Sequence, residues 1–169
     1  TFVLDYTGPV RRLELRSRAN DLLPIHLPTH MRPYGLIYIA PVAGECPTSL
    51  VEAVLTHPNT TVVLGLQGWL RCIEPGKVQS ACDPLVRNPP PGIRAVVFSE
   101  HDHPDSENIA QALTAHVPLI ALTRGAQGAT LFKRNRMTHI PAAPAHEIDP
   151  TGAGAVFGIF LGNALMQAF

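Results

Sequence analysis

The chain is poor in charge, in aromatic rings and in long apolar runs. Only 15% of its 169 residues are charged, and 13 basic side chains balance 13 acidic ones. A nucleic-acid surface concentrates Lys and Arg on one face to displace counterions from phosphates, so this composition argues against that partner. No apolar stretch approaches the ~20 residues that cross a bilayer. The start, Thr1-Phe2-Val3-Leu4-Asp5, has neither the basic lead nor the apolar middle of a signal peptide, so the expected location is cytoplasmic, without membrane contact. Cys46, Cys72 and Cys82 are odd in number and lack CxxC spacing, which disfavours a disulfide framework or a structural zinc site and reads as core thiols.

What is present is enough apolar material for one domain over residues 1–169, since 46% of the residues are hydrophobic. Short β-branched runs alternate with segments of helical spacing, the pattern of βαβ units and a mainly parallel sheet in an α/β fold. Strands are expected over Leu36 to Ala40, Thr61 to Leu66, Ala95 to Ser99 and Leu119 to Thr123. A hairpin is expected from Ala129 to Phe132 and Met137 to Ile140, with Lys133-Arg134-Asn135-Arg136 as its solvated tip. Helices are expected over Thr48 to Leu55, from an Asp105-Ser106 cap to Ala115 with the stripe Ile109, Ala112 and Leu113, and from about Gly152 onward. Asn88-Pro89-Pro90-Pro91-Gly92 reads as a stiff connector, and Trp69 and Arg71 as solvent-facing cover over the core. The end, Met166-Gln167-Ala168-Phe169, falls within a helical pattern, as expected of a piece of a longer chain.

The chemistry is concentrated in Asp149-Pro150-Thr151-Gly152-Ala153-Gly154-Ala155, directly before an apolar helix. Two glycines let the backbone approach an anion closely, and the N–H groups of residues 153 to 155 lie at the positive end of the helix dipole. Glycines also open ordinary helices, so spacing alone leaves a phosphate site and a plain helix entry both open. A dinucleotide fingerprint fails on context, because no buried strand directly precedes the glycines. His101-Asp102-His103-Pro104-Asp105 reads as a polar loop before a capped helix rather than a metal site.

These residues resemble the ribokinase-like (PfkB) carbohydrate kinases, whose Asp-Thr-x-Gly-Ala-Gly-Asp run is matched by residues 149–155 in the style of inositol-kinase-like members. Leu122-Thr123-Arg124-Gly125-Ala126-Gln127-Gly128 is similar to the family's Thr-x-Gly-x-x-Gly segment along the nucleotide. Ser99 and Asp102 stand where the family has Asn-x-x-Glu, and Gly65-Leu66-Gln67-Gly68-Trp69-Leu70-Arg71 resembles an Asp-x-Gln-Gly-x-x-Arg segment with Gly65 in place of the acid. The resemblance implies a three-layer αβα ribokinase-like domain, incomplete and without the family's lid sheet. It implies ATP-dependent phosphorylation of a hydroxyl on a sugar, inositol or related polyol.

Carried over residue by residue, Gly152, Ala153 and Gly154 form the anion hole, while Thr123, Gly125, Gly128 and Thr151 follow the nucleotide. Ala155 occupies the position of the catalytic aspartate, so the chain as given is either a slow kinase or a silent nucleotide-binding module. Mg²⁺ is expected to come with ATP and to be oriented by Asp102 through water, and K⁺ to sit at Asp149. The expected partners are a small polyol and a nucleotide, and a homodimer is compatible with the family.

Overall fold

The computed structural model describes residues 2–5, 12–29, 35–71, 74, 76–134, 136–146 and 151–167. Six strands form the main sheet: β3 (Leu36–Ile39), β4 (Thr61–Gly65), β6 (Ala95–Ser99), β7 (Ile120–Thr123), β8 (Ala129–Lys133) and β9 (Arg136–Ile140). They lie side by side in that order, the first four parallel and the last three antiparallel as a meander. Parallel strands covered on both faces require continuous apolar runs, and Val62, Val63 and Leu64 are accordingly all buried.

Each face of the sheet has its own cover. On one side, α1 (Thr48–Leu55), α2 (Pro84–Arg87) and α3 (Ser106–Leu113) pack over Ile39, Val62, Leu64, Val96, Phe98 and Leu122. On the other, α4 (Ala153–Gln167) lays Phe157, Leu161 and Leu165 over Val63, Ala95, Val97 and Ala121. The result is the expected three-layer αβα arrangement.

Several local expectations are corrected. Where a single sheet without a lid sheet was expected, a separate antiparallel sheet joins β1 (Phe2–Asp5), β2 (Arg12–Leu15) and β5 (Gly76–Lys77), built from short runs of mixed polarity. Trp69 and Arg71 are not solvent cover: both are buried, and the indole Nε1 donates to the Cys46 carbonyl at 2.9 Å. A helical turn not expected from the sequence, α2, precedes the Asn88–Gly92 connector, and Asp83 caps it by accepting from the Leu85 N–H at 2.8 Å. Asp105 precedes α3 but caps none of its N–H groups; its Oδ1 accepts from Asn108 instead. The buried stripe of α3 is Ser106, Ala110 and Leu113, with Ala112 turned to solvent. Of the cysteines, Cys46 is buried and Cys82 half-buried, as core thiols should be; Cys72 lies outside the described residues.

Candidate functional site

The four parallel strands end together at Ile39, Gly65, Ser99 and Thr123, so the segments that follow them line one edge of the sheet. Open α/β sheets bind ligands at that carboxyl edge. The direction of α4 brings its first turn there. Gly158 faces the Tyr38 ring near the end of β3, Gly162 faces Leu36 and Val63 further back, and Gly35, before β3, lies against Met166. The helix therefore runs from the carboxyl edge toward the amino edge, and residues 151–155 stand over the strand ends.

This entry segment is open. Gly152 has φ +87°, a left-handed conformation that favours glycine, and a Cβ at either Gly152 or Gly154 would meet nothing within 4 Å. The Val156 N–H donates to the Gly152 carbonyl at 3.0 Å, closing the first helical turn. The N–H groups of the residues before it have no intrahelical acceptor, as at any helix start, and Ala153, Gly154 and Ala155 are all exposed. Asp149 lies outside the described residues.

A second turn flanks the same edge. After β7, the Arg124 N–H donates to Gly128 O at 2.7 Å and the Gly128 N–H to Gly125 O at 3.0 Å. Gly125 (φ +53°) and Gly128 (φ +96°) hold left-handed backbone, and a Cβ on Gly128 would come within 2.0 Å of the Ile140 carbonyl oxygen. The Thr123 hydroxyl donates to the Phe98 carbonyl at 3.3 Å, tying the turn to β6. Arg124 is held in place by Glu100 at 3.0 Å, by Glu107 and by the Thr130 hydroxyl at 2.9 Å. Hydrogen bonding to Glu107, and next to Glu100, raises its pKa above the ordinary guanidinium value.

The segments that follow β4 and β6 meet in a buried polar knot that the sequence pattern did not assemble. Asp102 Oδ1 accepts from Gln67 Nε2 at 3.1 Å and lies 3.6 Å from Arg71 Nη2, while Oδ2 accepts from the Ser99 N–H at 2.8 Å. Both charged side chains are under 10% exposed. A buried carboxylate needs a partner cation and hydrogen bonds on its remaining lone pairs, and Asp102 has both. The spacing of Gln67 and Arg71 was visible; that both turn back onto Asp102 was not.

Tyr38 completes the edge. A Cβ on Gly65 would lie 2.5 Å from the tyrosine oxygen, and one on Gly158 would lie 2.5–2.6 Å from the ring and that oxygen. Burial, with the Asp102 charge as a lesser cause, raises the Tyr38 pKa, so the phenol stays a neutral donor. The only sequence signal for it was a lone hydroxyl in the apolar run Leu36-Ile37-Tyr38-Ile39. Among the described residues no group of three or more His, Cys, Asp or Glu side chains is placed to hold a metal ion.

No family model matches the chain. It is 26% identical over 154 residues to an inositol 3-kinase of Zea mays, an alignment that covers 89% of this chain and 39% of that protein. In structure it is similar to a pyrophosphate-dependent kinase in the ribokinase family complexed with a pyrophosphate analog and myo-inositol (TM-score 0.77, 16% identity), over 94% of this chain and 59% of that one. It is also similar to the Arabidopsis thaliana ribokinase complexed with ribose and ATP (TM-score 0.54, 20% identity), over 79% of this chain and 43% of that one. The chain thus spans about two-fifths of the length of the relative it matches in sequence.

Proposed function

We propose that this chain, which has the fold of the ribokinase-like (PfkB) carbohydrate kinases, is the donor-side part of a kinase that moves a phosphoryl group onto a hydroxyl of myo-inositol or a related small polyol. One observation carries the reading: the glycine turn 125–128 follows the end of β7 and the glycine segment 151–154 opens α4, both at the carboxyl edge of the parallel strands. Phosphoryl transfer demands little covalent chemistry from a protein and consists mostly of positioning and charge neutralisation. In this arrangement the N–H groups at Gly152, Ala153 and Gly154 hold the transferred group, and Thr123, Gly125, Gly128 and Thr151 follow the donor. Ala155, in the first turn, offers no atom to accept the hydroxyl proton.

When bound, Mg²⁺ neutralises charge on the donor phosphates. Asp102 is a poor fit as its ligand, because Gln67, Arg71 and the Ser99 N–H already engage both carboxylate oxygens; its role in this reading is to hold Gln67 and Arg71 at the edge. The resemblance puts K⁺ beside Asp149.

The donor has two readings. ATP follows from the resemblance of the 123–128 turn and from the ribokinase complex. Pyrophosphate is favoured by the higher structural similarity, TM-scores of 0.77–0.78 to pyrophosphate-dependent kinases against 0.54 to the ATP-bound ribokinase. Calorimetry on the full-length protein with a non-hydrolysable ATP analogue and, separately, with pyrophosphate decides between them. Binding of neither rules out the donor site.

A further inference from the structure

The two sides of α4 are not equivalent. The 125–128 turn lies beyond β7, on the side of the sheet that continues into β8 and β9, whereas the α4 glycines Gly158 and Gly162 meet Tyr38, Leu36 and Val63 of β3 and β4. Resting on the kinase reading above, a donor that follows the 125–128 turn and ends at the start of α4 must be attacked from the opposite side, because the attacking and leaving oxygens are roughly in line. That opposite side is the end of β3 and β4.

Tyr38 is the side chain the fold presents there. Its ring lies against the α4 backbone at Gly158 and its oxygen against Gly65. Ala155 and Gly158 are three residues apart, so the helix face that carries the base position also meets the tyrosine. Any side chain at 65 would collide with the phenol oxygen, so the glycine there and the tyrosine at 38 form a matched pair: the tyrosine hydroxyl takes the space that an acid at 65 would need. Among the described residues this hydroxyl donates to no protein group, while the Asp102 carboxylate is already engaged by Gln67 Nε2, Arg71 and the Ser99 N–H. We infer that Tyr38 is an acceptor-binding residue, its hydroxyl donating a hydrogen bond to an oxygen of the polyol bound over the ends of β3 and β4. A phenol is a protonated donor at neutral pH, and burial moves its pKa further from that range.

Tyr38→Phe removes the hydroxyl and leaves the ring between the two glycines. The test is calorimetry on full-length wild type and variant, titrating myo-inositol, then pyrophosphate and an ATP analogue, alongside Tm. Expected is a myo-inositol Kd weaker by about tenfold, the loss of one hydrogen bond, with donor affinity and Tm unchanged. An unchanged myo-inositol Kd overturns the assignment of Tyr38 alone, as does a variant whose donor affinity and Tm fall along with its polyol affinity, since that is the signature of packing. Wild type that binds donor but no polyol overturns the acceptor side of the kinase reading and this inference with it. Wild type that binds neither overturns both.

Discussion

Replacing Ala155 with aspartate tests the kinase reading most directly. Ala155 lies in the first turn of α4 and is exposed, so a carboxylate there meets solvent. The positive end of the helix dipole stabilises a first-turn carboxylate by about 0.3–1 kcal/mol, so Ala155→Asp is expected to leave the fold intact and raise Tm slightly. The same dipole depresses the pKa of the introduced group. The added stability is therefore present above the ordinary carboxylate range and disappears as pH falls through the depressed value. If proton abstraction contributes as general base catalysis usually does, turnover rises by roughly 10²–10⁴-fold, equivalent to about 3–5.5 kcal/mol off the barrier. The assay is phosphoryl transfer to myo-inositol by the full-length protein, with pyrophosphate and ATP as alternative donors, for wild type and variant. A folded variant that binds donor and polyol yet turns over no faster than wild type would refute the argument that position 155 is the vacant base.

Other consequences follow from the same geometry. Gly128→Ala forces a side chain into left-handed backbone beside the Ile140 carbonyl, costing about 1–3 kcal/mol from conformation alone. Thermal unfolding should register a Tm lower by about 2–12 °C, and an unchanged Tm would show that the turn is not held as described. Arg71→Met strands the buried Asp102 carboxylate, and denaturant titration should report about 3–5 kcal/mol lost; a loss below 1 kcal/mol would mean that Gln67 and the Ser99 N–H suffice. The Cys46 thiol is pushed up to about 11 by burial and then by Glu45 and Asp21. A raised folded pKa favours the protonated form, so its contribution to stability is full below the unfolded value of 9.0 and is lost as pH rises through about 11. Native protein at pH 8 should accordingly leave Cys46 unlabelled by iodoacetamide, and rapid labelling would contradict its burial.

Short β-branched apolar runs and helical spacing made most of the main sheet legible. Thr48–Leu55 and Ala95–Ser99 form as their patterns require, because burying an apolar stripe or a fully covered strand leaves a local signature in composition. The small sheet of β1, β2 and β5 left no such signature: its strands are two to four residues long, and the pairing of β2 with β5 joins segments distant in sequence. Trp69 shows the limit from the other side. An indole after a strand end reads as surface cover, yet a backbone carbonyl 23 residues away satisfies its N–H and lets it sink into the core.

The sequence by itself determined that glycines open the helix at residues 151–155, and that position 155 holds no carboxylate. Both are properties of residues adjacent in the chain. Only the tertiary structure decided what stands opposite that loop. The strand order places the 125–128 turn on one side of α4 and Tyr38 on the other, and Gly65 and Gly158, remote in sequence, leave room for one ring between them. Such proximity comes from parallel strands ending at a common edge, a relation among distant segments that no local pattern encodes.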